Sequence, residues 1–399
     1  MMLAKSDIFE NMRFAIFEPH WDFFTNPSLL CLVEELTNNG AQVDIFMQSS
    51  ENHKPLSENI SLYPFPKKLR FWAGDIISTL KNWKWFSIAW KSHRILEMQE
   101  YDLVFGINSE GVIAAFDYNK RKNVPFVYLS FEIFSKDELL KAEELREKEE
   151  EIKASRNAAI VIVQDEWRGG LLSKENGLSA KQIVYLPVAP RSSHSVRRMD
   201  YLRERFGIPR EKTIVLHSGS LEEWTYAEEL LDNVSKWPND IVLVIHTRYL
   251  PKKSNKWVSR IEKGHFENIV LSKQPLEIDE YEEMINSADI GLVLYKTCPL
   301  KRYIGKNIEL IGLSSGKFSY YMKYGLPVIS VKQSTYSELL QEYRFGENIG
   351  GFDDMVRAIQ KIKLNYNSYS NEAKRLFFER LDFNIHWPKL LEKIAEVIE

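Results

Sequence analysis

The sequence is poor in several things that would have decided its class at once. It has two cysteines in 399 residues, Cys31 and Cys298. They lie too far apart in the chain to suggest a disulfide framework or a zinc pattern, and a reducing cytoplasm is the expected setting. No apolar run approaches the roughly 20 residues a membrane span needs. The opening MMLAKSDIFENMRFAIFEPHW lacks a long apolar core and a small-residue cleavage site, so no signal peptide is expected. With 53 Lys and Arg against 56 Asp and Glu, the net charge is −3, and no basic field exists to drive general nucleic-acid binding. Short-period repeats and low-complexity segments are absent too.

What is present is a folded, core-forming composition, 44% hydrophobic and 13% aromatic. At about 150 residues per domain the length predicts two domains or three. Short β-type runs alternate with helical stretches: Arg13–Glu18, Gln42–Met47, Asp102–Ile107, Pro125–Leu129, Ala159–Val163 and Ile183–Leu186. Between the first two, Ser28–Asn38 fits an amphipathic helix capped by Asn26 or Ser28 and stopped at Gly40. The stretch Lys136–Arg156 reads as one charged helix with a solvated face. After Pro187 and Pro190 a second cycle begins, with strands at Lys212–Leu216, Ile241–Ile245, Ile269–Leu271, Asp289–Leu294 and Pro327–Val331. The pattern predicts an α/β protein of two doubly wound, Rossmann-like domains facing across a cleft, with ligands beyond the carboxyl ends of the strands. The expected division is residues 1–195, 196–375 and a returning helix at 376–399, anchored by Trp387 and Leu390.

The segment SSGKFSYYMKYGLPVIS, from Ser314, leads small residues and Gly316 straight into a helix. Such a start leaves backbone N–H groups unpaired and points the positive dipole end outward. Lys317 adds a cation suited to phosphate, and Ser314 and Ser315 add hydroxyls; an ordinary N-cap followed by a C-cap at Gly325 explains the same residues. The turn His217-Ser218-Gly219-Ser220 follows a strand and carries the glycine that a close backbone approach to phosphate requires. Lys273 follows another strand end.

These segments resemble the GT-B glycosyltransferases, in particular the group related to retaining glycosyltransferase family 4. The helix SGKFSYYMKYGLPVIS resembles that family's donor-site helix, SADIGLVLY the strand before it, TIVLHSGSLEEW the first strand and Gly turn of the C-terminal domain, and RNAAIVIVQDEWRGGLLSKENGLSAKQIVYLPVAP the end of the N-terminal domain. The resemblance implies a sugar transfer from a nucleotide-diphosphate donor held by the C-terminal domain to an acceptor hydroxyl held by the N-terminal domain, in polysaccharide or glycolipid synthesis. It implies no resident cofactor and no metal, the nucleotide-sugar being a substrate. Donor contacts are expected from Ser218, Gly219, Arg248, Lys273, Ser314, Ser315, Gly316, Lys317 and Tyr320, with Arg302 and Lys306 as further cations. Two family glutamates, eight positions apart, are replaced here by Gly312 and Tyr320. A nucleotide-sugar epimerase of the same fold, or a degenerate partner subunit, are the alternatives.

In the N-terminal half, Pro19-His20-Trp21-Asp22 follows the first strand. His20 and Asp22 can orient a sugar hydroxyl or take its proton, or simply cap and pack a turn. Trp21, and Glu110 in the loop Asn108–Gly111, are expected on the acceptor side. Glu132, just after PFVYLS, is the leading candidate for catalysis. Residues 67–94 carry seven Lys or Arg against one Asp, interleaved with Trp72, Trp83, Trp85 and Trp90. That composition suits an anionic membrane surface, an acceptor cleft, or a core helix with snorkelling lysines. A cytoplasmic protein, peripheral on the inner membrane face, is expected; no nucleic-acid partner is.

Overall fold

The computed structural model describes residues 8–19, 23–48, 57–65, 99–192, 198–247, 255–264, 266–299, 301–332 and 334–399. His20, Trp21, Asp22, Arg248 and the whole of 67–94 lie outside these described residues. The chain divides into two compact units: Met1–Val188 with Leu300–Tyr303 and His386–Glu399, and Ala189–Pro299 with Ile304–Ile385.

Unit 1 holds β1 (Arg13–Glu18), α1 (Pro27–Asn38), β2 (Gln42–Gln48), β3 (Ile60–Phe65), β4 (Leu103–Ile107), α2 (Asn108–Lys122), β5 (Phe126–Leu129), α3 (Ala142–Asn157), β6 (Ile160–Val163), α4 (Glu166–Asn176) and β7 (Ile183–Tyr185). Its described strands form one parallel sheet in the order β3-β2-β1-β4-β5-β6-β7. Runs such as IVIV in β6 are buried throughout, as a sheet covered on both faces demands. Asn26 caps α1 by accepting from the N–H groups of Ser28 and Leu29, and Pro27 occupies the first helical position, where its missing N–H costs nothing.

Unit 2 holds α5 (Tyr201–Phe206), β8 (Thr213–Ser218), α6 (Ala227–Val234), β9 (Ile241–His246), α7 (Lys256–Lys263), β10 (Ile269–Ser272), α8 (Ile278–Asn286), β11 (Ile290–Val293), α9 (Lys306–Glu309), α10 (Gly316–Lys323), β12 (Val328–Val331), α11 (Ser334–Tyr343), β13 (Gly346–Ile349), α12 (Met355–Leu364) and α13 (Tyr366–Leu376). Its described strands are again all parallel, in the order β10-β9-β8-β11-β12-β13. In both sheets the order reverses beside the first strand, between β1 and β4 and between β8 and β11. Open parallel sheets bind ligands at that reversal, beyond the carboxyl ends of the strands.

Four readings of the sequence change. The charged stretch Lys136–Arg156 is a 3₁₀ turn, Lys136–Glu138, followed by α3. The break falls where Leu139 turns into the core in extended conformation, and the Glu144 carboxylate restarts the helix by accepting from the Lys141 N–H. Glu110 sits in the first turn of α2, not in a loop. That helix starts directly off β4 because Gly106 and Gly111 touch: a Cβ on Gly106 would lie 2.4 Å from the Gly111 carbonyl oxygen. The closing segment, expected as one helix from Leu376, is a π turn at Phe377–Leu381 followed by α14 (Phe383–Ile398), in which Trp387 and Leu390 are buried. Strands β3 and β13 were not anticipated. They are the edge strands at one side of each sheet.

Candidate functional site

In unit 2 the carboxyl ends of β8 and β11 meet the start of α10. β8 delivers His217 and Ser218, both buried, into a turn at Gly219, whose φ of 115° only glycine adopts readily. The Gly219 N–H donates to the His246 carbonyl at the end of β9. A Cβ added to Gly219 would meet nothing within 4 Å, so the turn presents open backbone. Beyond β11 the chain brings Tyr295 over the same region, stacked on Trp224 with centroids 5.9 Å apart.

Ser315 caps α10. Its Oγ accepts from the Phe318 N–H at 3.4 Å and shares a 2.7 Å hydrogen bond with the Tyr295 hydroxyl. Gly316 follows as the first helical residue, and Lys317 places its Nζ 4.7 Å above the Tyr295 ring. No carboxylate among the described residues pairs with this ammonium, and burial lowers its pKa to about 7. His217 is fully buried. Its Nε2 lies 3.1 Å from the Ser220 carbonyl, while Nδ1 has no partner among the described residues. Burial first, then the Lys317 charge, lower its pKa to about 3, against a weaker opposing effect of the Ser220 hydrogen bond. A helix start, an ammonium with no counter-ion among the described residues and an open glycine turn together suit an anion.

The other residues expected here are placed as follows. Ser218 Oγ shares a 3.0 Å hydrogen bond with the Tyr281 hydroxyl, and Tyr281 meets Tyr320 edge to face at 5.2 Å. Ser218, Gly219, Ser315, Gly316, Lys317 and Tyr320 are thus gathered around one end of the sheet. Ser314 turns away, donating its hydroxyl to the Ile311 carbonyl. Lys273 stands beyond β10, outside β9, ion-paired with Glu262. Lys306 opens the short helix α9. His217, Trp224, Tyr281 and Tyr295 were not expected as site residues. The usable sign was His217 itself, a titratable residue directly after the apolar run Ile214–Leu216.

In unit 1, Glu132 follows β5. Asn108, at a φ of 55°, holds its turn by accepting from the N–H groups of both Phe131 (2.9 Å) and Glu132 (3.0 Å). From below, the buried Arg168 guanidinium donates to the Phe131 carbonyl at 2.6 Å, and the Glu132 charge acts on it. Glu110 and Glu132 both raise the pKa of the Tyr303 phenol, after the larger effect of burial. These two acids therefore share one neighbourhood at the carboxyl ends of β4 and β5. Arg302 is spoken for there: it grips Glu147 with both guanidinium arms and lies 4.3 Å over the Phe134 ring. Among the described residues, no group of three or more His, Cys, Asp or Glu is placed to hold a metal, and no helix is long and apolar enough to cross a membrane.

The architecture is that of the GT-B glycosyltransferases. Sucrose-phosphate synthase from Thermosynechococcus elongatus matches with a TM-score of 0.71 at 13% identity, covering 97% of this chain and 99% of that one. HepE from Anabaena, solved with UDP and glucose, matches at 0.70 and 14% identity, over 97% of this chain and all of its own. A glycosyltransferase from Rickettsia africae matches at 0.70 and 11% identity, over 98% and 99%. No protein-family model matches the chain, and no curated protein matches it in sequence. At these identities the likeness is one of fold.

Proposed function

We propose that the chain is a glycosyltransferase whose unit 2 binds a nucleotide-diphosphate-sugar and whose unit 1 supplies the acceptor-side acids. The observation that carries this reading is Lys317, an ammonium with no carboxylate partner among the described residues, at the start of α10 beside the open Gly219 turn. The solved HepE complex with UDP and glucose supports the donor class. In the proposed reaction the bond between the anomeric carbon and the diphosphate oxygen breaks, and a bond from the acceptor oxygen to that carbon forms. Charge left on the diphosphate is met by the first N–H groups of α10 and by Lys317, donors already in place before it develops. The acceptor proton passes to Glu132 if the anomeric carbon is inverted, or to the leaving phosphate if it is retained. Membership of the family-4 group, and a role in polysaccharide or glycolipid synthesis at a membrane surface, belong to the same proposal.

The test is a panel of UDP-, GDP-, ADP- and CDP-sugars, followed by melting temperature and by nucleotide release. One donor should raise the melting temperature, because a ligand bound only to the native state stabilises it. Release of nucleotide only when acceptor is added selects transfer over epimerisation. Lys317→Ala should lower kcat/KM by one to two orders of magnitude, the ~1.5–3 kcal/mol of a hydrogen bond to a charged group. Unchanged kinetics would take α10 out of the site.

A further inference from the structure

The Lys317 amine stands where a phosphate would be held, and among the described residues no carboxylate pairs with it; the Tyr295 ring face, 4.7 Å from Nζ, supports its charge only weakly. From β8 it faces His217 and from the exit of β11 the Tyr295 ring, while the phenols of Tyr281, Tyr320 and Tyr321 gather at the same end of the sheet through Ser218 and one another. The Tyr336 hydroxyl of α11 is engaged with the Gly312 carbonyl. The neighbouring cations have their own carboxylates, Lys296 on Glu229 at 2.8 Å and Lys323 on Glu282 at 2.8 Å. His217 adds no charge: a carbonyl can only accept, so the Ser220 contact puts the imidazole proton on Nε2 and leaves Nδ1 as a bare, buried acceptor. Among the described residues Lys317 therefore has the Tyr295 ring, a neutral imidazole and the positive end of its own helix about it but no carboxylate, a setting in which burial favours the neutral amine.

We propose that this site takes up its diphosphate ester together with one proton, which the Lys317 amine captures from solvent, so that donor affinity falls as the pH rises above neutrality. The inference rests on the donor-site reading above. The phosphates of a nucleotide-sugar are already fully ionised and have no group that titrates near neutrality, so the proton is gained by the protein. The free amine titrates at about pH 7. A bound anion favours the ammonium and raises that value. Below the free value the amine is already charged and affinity is level. Above it, affinity drops by up to about tenfold per pH unit until the raised value is reached.

The test has two arms. Competitive acetylation of the free protein with acetic anhydride, read by peptide mass spectrometry across the pH range, should show Lys317 reacting with a midpoint near neutrality, well below that of the bulk of the surface lysines. Titration calorimetry with the UDP-, GDP-, ADP- and CDP-sugars at about pH 8, in buffers of low and high ionisation enthalpy, should show uptake approaching one proton on binding. Lys317→Arg, whose guanidinium stays charged, should bind without proton uptake and with a level pH profile. If Lys317 titrates with the surface lysines, or Lys317→Arg takes up as many protons as the wild type, the proposal falls. A donor that binds without proton uptake overturns the proposal and leaves the donor-site reading standing. A midpoint near neutrality that no donor shifts overturns the donor-site reading, and the coupling with it.

Discussion

His217 is a neutral imidazole held inside the fold, and that has a consequence for stability. Its folded pKa is about 3 against an ordinary 6.5. Between those values the unfolded chain binds more protons than the folded one, so stability is lost as pH falls from about 6.5 towards 3. Each pKa unit corresponds to about 1.4 kcal/mol, so the loss reaches a few kcal/mol at the acid end. His217→Gln keeps a polar group of similar reach but has nothing to protonate. Its urea midpoint should fall less steeply than that of the wild type between about pH 6.5 and 4. Parallel acid limbs for the two proteins would show that His217 is not the group responsible. In the sequence, His217 opens the turn after the strand Lys212–Leu216, where it reads as one more turn residue. Its significance depends on Lys317, a helix start brought to it only by the order of the strands.

At the scale of elements, one ring ties α10 to the strand ends of the sheet. Tyr321 lies under β11, and its hydroxyl accepts from the Ser218 N–H at 3.3 Å and donates to the Leu216 carbonyl at 3.4 Å. The ring fits because residue 291 in β11 is glycine: a Cβ there would come within 2.6 Å of the Tyr321 ring. Gly291→Ala should therefore cost about 1–3 kcal/mol in urea unfolding, the usual penalty of overpacking a core. The same change should weaken nucleotide binding, since the displaced ring holds the Ser218 turn. Adding Tyr321→Leu should recover part of the stability but not the binding, an interaction a double-mutant cycle measures. Strictly additive losses would mean that ring and glycine do not communicate. Elements of this kind differ in how plainly the sequence announces them. IVLVI in β9 and IVIV in β6 are unbroken apolar runs and read directly as buried strands. GENI in β13 and ISLYPF in β3 mix polar residues and a proline, because an edge strand pairs on one side only. The helical placement of Glu110 was hidden for another reason. Asn108 and Gly111 look like loop residues, whereas here they allow a helix to start immediately at the end of a strand.

For the whole molecule, each unit has its own hydrophobic core. Unit 1 packs residues such as Val104, Tyr128 and Val161, and unit 2 packs Val215, Leu243 and Ile329. The repetition of one strand–helix pattern in two halves was visible in the sequence, because periodicity survives wherever a strand is buried. The proposed division of labour between the halves came only through the resemblance, because the sheet ends that carry Lys317 and Glu132 are assembled by strand order. If the donor is bound by unit 2 alone, its stabilisation must appear there first. A ligand at a hundredfold excess over its dissociation constant adds about 2.7 kcal/mol to the unit that binds it. Hydrogen exchange read by mass spectrometry, with and without the stabilising nucleotide-sugar, should therefore slow in peptides spanning residues 213–226 and 290–323. Exchange in peptides spanning 103–132, around Asn108 and Glu132, should stay as it was until an acceptor is also present. Acceptor alone should reverse the pattern. Equal protection of both sets by nucleotide-sugar alone would mean that the donor is not held by unit 2 in the way its anion site implies, and the assignment of the two substrates to the two units would have to be abandoned.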